Sequence, residues 1–442
     1  MPAALSAFNR KHNRYPGKLT IKSFFIAQLM MVFISGMQPL YAQAVIIKKG
    51  NAFELNVNGT KTFIKGAVAY EYIDKIKKYG GNAIRIPCKA EQIAKAGEEG
   101  LMAMVGLPFE SERNGFDYND KTAVQRQLEN VLALVKQFKN NPAIQFWAVG
   151  NELDFIPPDN ACNPAVWDAV NSAAKAIKAI DPNRLVLTVI GTGRMYKLAD
   201  IIKRCPDLDL LGLNTYKDIY GLADTLGKWG WNKPYVIAEW GPSGYWEVRK
   251  TPWKAPFEQT AAEKAVVYKD KYEKVILANE GQCLGSFVFY WSGHKQETTH
   301  TWFNMFDSKG NETPVVDVMQ YLWAGKWPSN RAPVTDSISI DGKSKYQIHR
   351  LSPSSSYTVQ AFASDPDKDI LQFTWEIRPE AQYASYAGQG EKEPQPIAGL
   401  TDKKGNKIQF TTPPTKGAYR LFVYVTDKYN HSSSANTPFY VE

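Results

Sequence analysis

Between Val45 and Trp327 the chain alternates eight short, nearly continuous apolar runs with longer amphipathic segments. The runs cover residues 62–70, 82–87, 101–108, 143–152, 185–191, 208–216, 234–241 and 283–291. A run apolar at almost every position suits a strand covered on both faces, and such strands belong to parallel sheets flanked by helices. The intervening segments read as those helices. Val124, Leu128, Val131, Val135 and Phe138 form one stripe at steps of four and three, and the pattern stops at Asn141-Pro142. Asn163-Pro164 offers a cap and a first-turn proline, and Thr260 with Glu263 offers a capping box. Eight such repeats over about 280 residues predict an α/β fold of the (β/α)8 barrel type. A doubly wound open sheet is the alternative, but no G-x-G-x-x-G follows an early strand.

A barrel of this type gathers its chemistry at the C-terminal ends of its strands. No G-x-S-x-G elbow or H-E-x-x-H motif is present. Of five histidines, His12 precedes the barrel, and His349 and His431 follow it. His294 and His300, both after the eighth run, are read as loop or substrate-contact residues. No metal site and no cofactor is expected. Carboxylates are better placed. The fourth run ends Val149-Gly150-Asn151-Glu152 and the seventh Ala238-Glu239-Trp240-Gly241. Two glutamates facing each other across a barrel mouth suit glycoside hydrolysis, where one protonated carboxyl serves the leaving oxygen and one carboxylate attacks or activates water.

These motifs resemble the clan of retaining glycoside hydrolases with catalytic glutamates on strands four and seven. Leu55-Asn56-Val57-Asn58-Gly59, Phe63-Ile64-Lys65-Gly66 and Gly81-Asn82-Ala83-Ile84-Arg85 resemble most the barrel domain of family 2, and less closely families 5 and 72. The resemblance spans roughly residues 50–324. It implies Glu152 as general acid/base and Glu239 as nucleophile, with Asn151 on the sugar 2-hydroxyl. It implies Arg85 and Tyr216 as hydrogen-bond partners of the nucleophile, and Trp291 as the floor of the reacting subsite. Two departures bear on the family's substrate range: there is no room for β-sandwich domains ahead of the barrel, and Tyr70-Glu71 stands where many members show a histidine.

Seven of the twelve tryptophans lie between Trp229 and Trp302, largely in the loops after strands six to eight, and sugar faces stack on such rings. Trp246, Trp291 and Trp302 are the expected ligand contacts. The expected partner is an oligo- or polysaccharide.

The formal charge of +9, from 53 Lys+Arg against 44 Asp+Glu, suggests an anionic partner only if it clusters. It does not. Arg10, Lys11, Arg14, Lys18 and Lys22 precede an apolar run from Phe24 to Met37 and small residues around Ala42 and Ala44, with no acid among the first 44 residues. This is the layout of a secretory signal peptide over residues 1–44, too short and broken for a good membrane span. Nucleic-acid binding is not expected, because no basic cluster interleaves with aromatics. The mature chain is expected to be exported, periplasmic or extracellular, monomeric and without a membrane span. Export permits disulfides. Cys88, Cys162, Cys205 and Cys283 match no metal spacing and read equally well as free buried thiols; no particular pair is expected, and Cys88 with Cys162 is the least implausible one, since both follow strand ends on one predicted face.

After the barrel (45–327) and a polar linker (328–333), residues 334–442 show short alternating strands at 356–363, 370–377, 407–411 and 418–426, the texture of a β-sandwich. Ala363-Ser364-Asp365-Pro366-Asp367-Lys368-Asp369 followed by Phe373-Thr374-Trp375 resembles an edge of the immunoglobulin-like or PKD-like domains appended to secreted bacterial enzymes. Asp365, Asp367 and Asp369 are read as a solvated turn, with calcium as the alternative. The sandwich itself is read as a spacer in preference to a glycan-binding module. The leading expectation is a secreted retaining β-glycosidase acting by double displacement. A transglycosylase with the same covalent intermediate and a non-catalytic carbohydrate-binding protein are the alternatives.

Overall fold

The computed structural model describes residues 43–156, 161–381, 391–399 and 404–442. Residues 1–42 of the expected signal peptide lie outside the described residues.

Three antiparallel strands come first: β1 (Ala44–Lys49), β2 (Ala52–Val57) and β3 (Thr60–Thr62). Ala44, Leu55 and Val57 share a cluster with inward-facing residues of the barrel strands, and the Ala44 N–H donates to the Asn183 carbonyl just ahead of a strand. The sheet therefore closes the N-terminal end of the barrel. The eight expected runs then form β4 (Ile64–Ala69), β5 (Ala83–Pro87), β6 (Met102–Leu107), β7 (Ile144–Asn151), β8 (Leu185–Gly191), β9 (Leu210–Asn214), β10 (Tyr235–Trp240) and β11 (Cys283–Trp291). They pair in sequence order, all parallel, and β11 closes on β4.

Among the helices are α1 (Ile73–Lys78), α2 (Ala90–Glu98), α3 (Lys121–Phe138), α4 (Ala165–Ile180), α5 (Leu198–Arg204), α6 (Leu222–Lys228), α7 (Ala261–Lys271) and α8 (Pro314–Ala324). The apolar stripe of α3 buries Val131 and Val135. Asn163 accepts from the Ala165 N–H at the start of α4, and Thr260 with Glu263 forms the expected capping box of α7. One apolar cluster lies between strands and helices, and a second fills the barrel interior.

Strict alternation breaks near the mouth, and the breaks decide what faces the cleft. Along β7, Phe146 and Ala148 face inward and Trp147 and Val149 outward. Simple alternation would then turn Asn151 outward. A register shift against β8 intervenes, with Gly150 in the left-handed region at φ 74°. Only glycine takes that conformation without cost, and a Cβ on Gly150 would stand 2.6 Å from Leu153. In β10, Val236 and Ala238 face inward, and a shift against β9 sets Glu239 beside Asn214 and turns Trp240 out. Such bulges re-aim side chains at barrel rims.

The polypeptide after Trp327 folds as two four-stranded sheets around a shared core. One sheet contains β12 (Val334–Ile340), β13 (Lys343–Ser344), β15 (Ser356–Ser364) and β17 (Lys407–Thr411). The other contains β14 (His349–Leu351), β16 (Gln372–Pro379), β18 (Gly417–Thr426) and β19 (Ser432–Val441). The expected polar linker is pinned: the Arg331 guanidinium lies 4.1 Å from the Trp327 ring centroid, and the Ala332 N–H donates to Asp317.

The sandwich is docked on the barrel's upper loops. Glu258, 2% exposed, follows β10 and ties Lys264 of α7 to Thr299 and Thr301 after β11, and Asn436 of β19 donates to the same carboxylate at 2.6 Å. Burial acts to raise the pKa of Glu258, but Lys264 and the Thr299 hydroxyl prevail and hold it down to about 2. Arg420 donates to the Pro256 carbonyl, His300 bonds the Tyr424 hydroxyl at 2.7 Å, and Thr298 N–H donates to Glu391.

All four cysteines are free thiols. Cys88 and Cys162 are not bridged. Each thiol is half-buried against the apolar cluster between strands and helices, and burial pushes the pKa of both up to about 11. No described helix is long and apolar enough to cross a membrane.

Candidate functional site

The barrel mouth opens into a cleft of about 570 Å³ lined by residues that include Asn151, Glu152, Asn214, Tyr216 and Glu239. Arg85, at the end of β5, organises it. Its Nη1 donates to Glu239 Oε1 at 2.8 Å, to the Ala238 carbonyl at 3.0 Å and to Asn214 Oδ1 at 3.3 Å, and its Nη2 donates to Asn151 Oδ1 at 2.7 Å. The Tyr216 hydroxyl donates to Glu239 Oε2 at 3.3 Å. Asn214 Nδ2 donates to Glu152 Oε1 at 2.7 Å and to Asn151 Oδ1 at 3.1 Å. The two carboxylates thus belong to one network, joined through Asn214 and Arg85.

Their environments differ. Burial raises the pKa of Glu152, the neighbouring Glu239 charge raises it further, and the Asn214 amide opposes only in part. Burial also raises Glu239, but the Arg85 cation and the Tyr216 hydroxyl favour its ionised form, while Glu297 acts against it. Both carboxyls are thus held above their ordinary range, and a cation opposes that shift directly only at Glu239. Glu152 also holds a left-handed backbone at φ 48°, a strained conformation for a residue with a β-carbon. Lys271, buried and with its pKa lowered by that burial to about 8, donates to the Tyr216 and Gly241 carbonyls. It fixes the segments leaving β9 and β10.

The structure brings together Glu152, Glu239, Asn151, Arg85 and Tyr216, and places Trp246 on the cleft wall, 48% exposed, with its ring edge-on to Tyr216 at 5.2 Å. Trp291 and Trp302 do not line the cleft. A register shift in β11 between Val288 and Trp291 turns the latter outward among Tyr79, Phe306 and Trp323, where its indole donates to the Tyr72 carbonyl. Phe289 faces the cleft instead. Trp302 is 1% exposed and braces the loop after β10 through a bond to the Ser243 carbonyl. His294 bonds Glu71, and His300 faces the sandwich. Asn214 went unrecognised although it ends an identified strand, where any buried amide is a candidate. Lys295 and Glu297, paired at 2.8 Å, also line the cleft, and they sit in a loop without periodicity. In the sandwich, Asp365, Asp369 and Asp427 bring carboxylate oxygens within 4.8 Å of one another. Asp367 is not in that group and accepts from the Arg331 N–H instead.

A family model described as glycosyl hydrolases family 2, TIM barrel domain, matches residues 95–283. Over that stretch the barrel is similar to the family 2 glycosyl hydrolase barrel. No curated protein matches the chain. Among solved structures, Bacteroides uniformis β-glucuronidase 3 is 13% identical with a TM-score of 0.45, over 90% of this chain and 52% of that one. Bacteroides uniformis β-glucuronidase 2, covalently bound to cyclophellitol-6-carboxylate aziridine, is 13% identical with a TM-score of 0.48, over 90% and 48%. A family 5 mannosidase from Rhizomucor miehei is 12% identical with a TM-score of 0.47, over 64% and 97%. The chain spans about half the length of the two β-glucuronidases. The barrel supplies the frame, and what it does in this chain rests on the cleft.

Proposed function

We propose that this protein is an exported retaining β-glycosidase, with Glu239 as nucleophile and Glu152 as general acid/base. The observation that carries the reading is the asymmetric pair: Glu239 held by Arg85 and Tyr216, Glu152 buried beside it with only a neutral amide. In the first step the Glu239 carboxylate bonds the anomeric carbon as the glycosidic C–O bond breaks, and Glu152 gives its proton to the departing oxygen. In the second, Glu152 takes a proton from water, the water oxygen bonds the anomeric carbon, and the Glu239 carboxylate is released. The family match supports a glycoside hydrolase of this kind, and the basic, then apolar N-terminal sequence supports export. The test is hydrolysis of a panel of aryl β-glycosides, with a 2-fluoro glycoside to trap the intermediate. Labelling of Glu239 is the expected result. Turnover of no substrate in the panel, or wild-type rates in Glu239→Gln, overturns the reading.

A further inference from the structure

The cleft's charges are unevenly committed. Lys197 is bound to Asp154 and to the Gly191 carbonyl, Lys295 to Glu297, and Arg85 to Glu239. Arg113, in the turn Glu112–Asn114 after β6, is different. Among the described residues its guanidinium has no hydrogen-bond or ion-pair partner, and it lies over the Phe155 ring, 5.7 Å from the centroid. Phe155 belongs to the turn hung on Glu152, its N–H donating to the Glu152 carbonyl at 3.1 Å. The Arg113 charge bears on Glu152. The neighbours whose charges bear most on Glu239 are Arg85 and Glu297. The acid that protonates the leaving oxygen stands on the leaving-group side, so Arg113 and Phe155 border that side.

The opposite side is acidic. Glu297 lies near Glu239, and Glu247 accepts from the Lys217 and Gly244 N–H groups with no ion pair among the described residues. A uronate carboxylate there would meet Glu239, Glu247 and Glu297; among the described residues the lysine lining that side, Lys295, is held by Glu297, and Lys271 beneath it is buried and bound to two carbonyls. Like charges in a partly dry cleft disfavour such a ligand. A planar guanidinium with open donors favours a carboxylate, which it grips through two parallel bonds.

Resting on the glycosidase reading, we propose that the cleft takes a neutral sugar on the Glu239 side and an acidic leaving group on the Glu152 side, with Arg113 recognising the anion. The substrate class is a neutral glycosyl unit β-linked to a carboxylate-bearing residue. The test uses one neutral glycone on two aryl leaving groups, one bearing a carboxylate and the other its methyl ester, together with the matching aryl β-glucuronide. The wild type is expected to favour the carboxylate over the ester in kcat/KM. Arg113→Gln is expected to lower that ratio about tenfold and Arg113→Lys less, since an ammonium keeps the charge without the fork. Added salt should narrow the preference. A ratio unchanged in Arg113→Gln, or a wild type that favours the ester, overturns the Arg113 assignment. Faster turnover of the glucuronide than of every neutral glycone overturns the neutral-sugar half. A wild type inert toward all of them strikes the glycosidase reading instead.

Discussion

The two walls of the cleft are built differently. The wall over β6 to β8, with Arg113, Asp154, Phe155 and Lys197, is held by the barrel's own loops and by the buried Lys197–Asp154 pair. The wall over β10 and β11, with Tyr245, Trp246, Lys295 and Glu297, is held from behind by the sandwich through Glu258, Asn436, Arg420 and Tyr424. The sandwich read as a spacer thus packs on the barrel, and among the described residues its bonds to the cleft loops fall on the wall beside Glu239. On the proposed mechanism, the carboxylate that must keep one geometry through a covalent intermediate lies on that side. The wall that would admit and release the leaving group on that mechanism is left to shorter loops.

The largest effects should fall on the two carboxylates, and unequally. Glu239→Gln should lower kcat/KM on the order of 10⁴-fold on any substrate, because no bond to the anomeric carbon can form. Glu152→Gln should cost about 10²-fold or more on a poor leaving group, and much less on a nitrophenol that needs no proton. Equal losses for both leaving groups in Glu152→Gln would remove the assignment of acid to one wall and nucleophile to the other.

Next in size is the packing of the sandwich on the barrel. Glu258→Gln leaves Lys264 buried without its acid and should cost about 3–5 kcal/mol of stability, read by denaturant unfolding. The pKa of Glu258 is depressed to about 2 in the folded chain. Its contribution is therefore fully present above the ordinary carboxylate range and is lost as pH falls from there toward 2, so the variant and wild type should converge in acid. At a temperature where the variant is folded, KM should rise more than kcat falls. A loss confined to kcat would argue against bracing of the sugar-binding wall.

Arg85→Gln comes third. Without the guanidinium the Glu239 carboxylate is harder to ionise, so the acid limb of the pH–rate profile should move to higher pH, with kcat/KM at its optimum down about 10²-fold. An unmoved acid limb would show that Arg85 does not set the charge of Glu239.

Much of this was legible in the sequence, for physical reasons that also mark where legibility ends. Strands covered on both faces write themselves as apolar runs, so all eight barrel strands could be read. A cap such as Thr260 with Glu263 is local chemistry and was legible for that reason. A bulge leaves no apolar signature. The register shift in β11 sends Trp291 into the outer core, and simple alternation and the family pattern both miss it. The strand β19 was hidden differently. Its buried Ser433, Asn436 and Thr437 are polar because they bond Thr335 N–H, Glu258 and the Lys345 carbonyl, so a packed strand reads as a loop.

The smallest effects separate a sugar platform from a core ring. Trp246 is half exposed on the braced wall and packs edge-on to Tyr216, whereas Trp291 is fully buried with its indole N–H satisfied. Trp246→Ala removes a stacking surface worth about 1 kcal/mol and should raise KM severalfold with little change in unfolding free energy. Trp291→Phe should behave in the opposite way, costing stability by about 1–3 kcal/mol through lost volume and an orphaned Tyr72 carbonyl while leaving KM near wild type. The pair tests whether the bulge in β11 assigns these rings their roles. If Trp291→Phe raises KM as Trp246→Ala does, the ring that alternation would have turned inward reaches the sugar after all. Phe289 would then share its side of the cleft with Trp291.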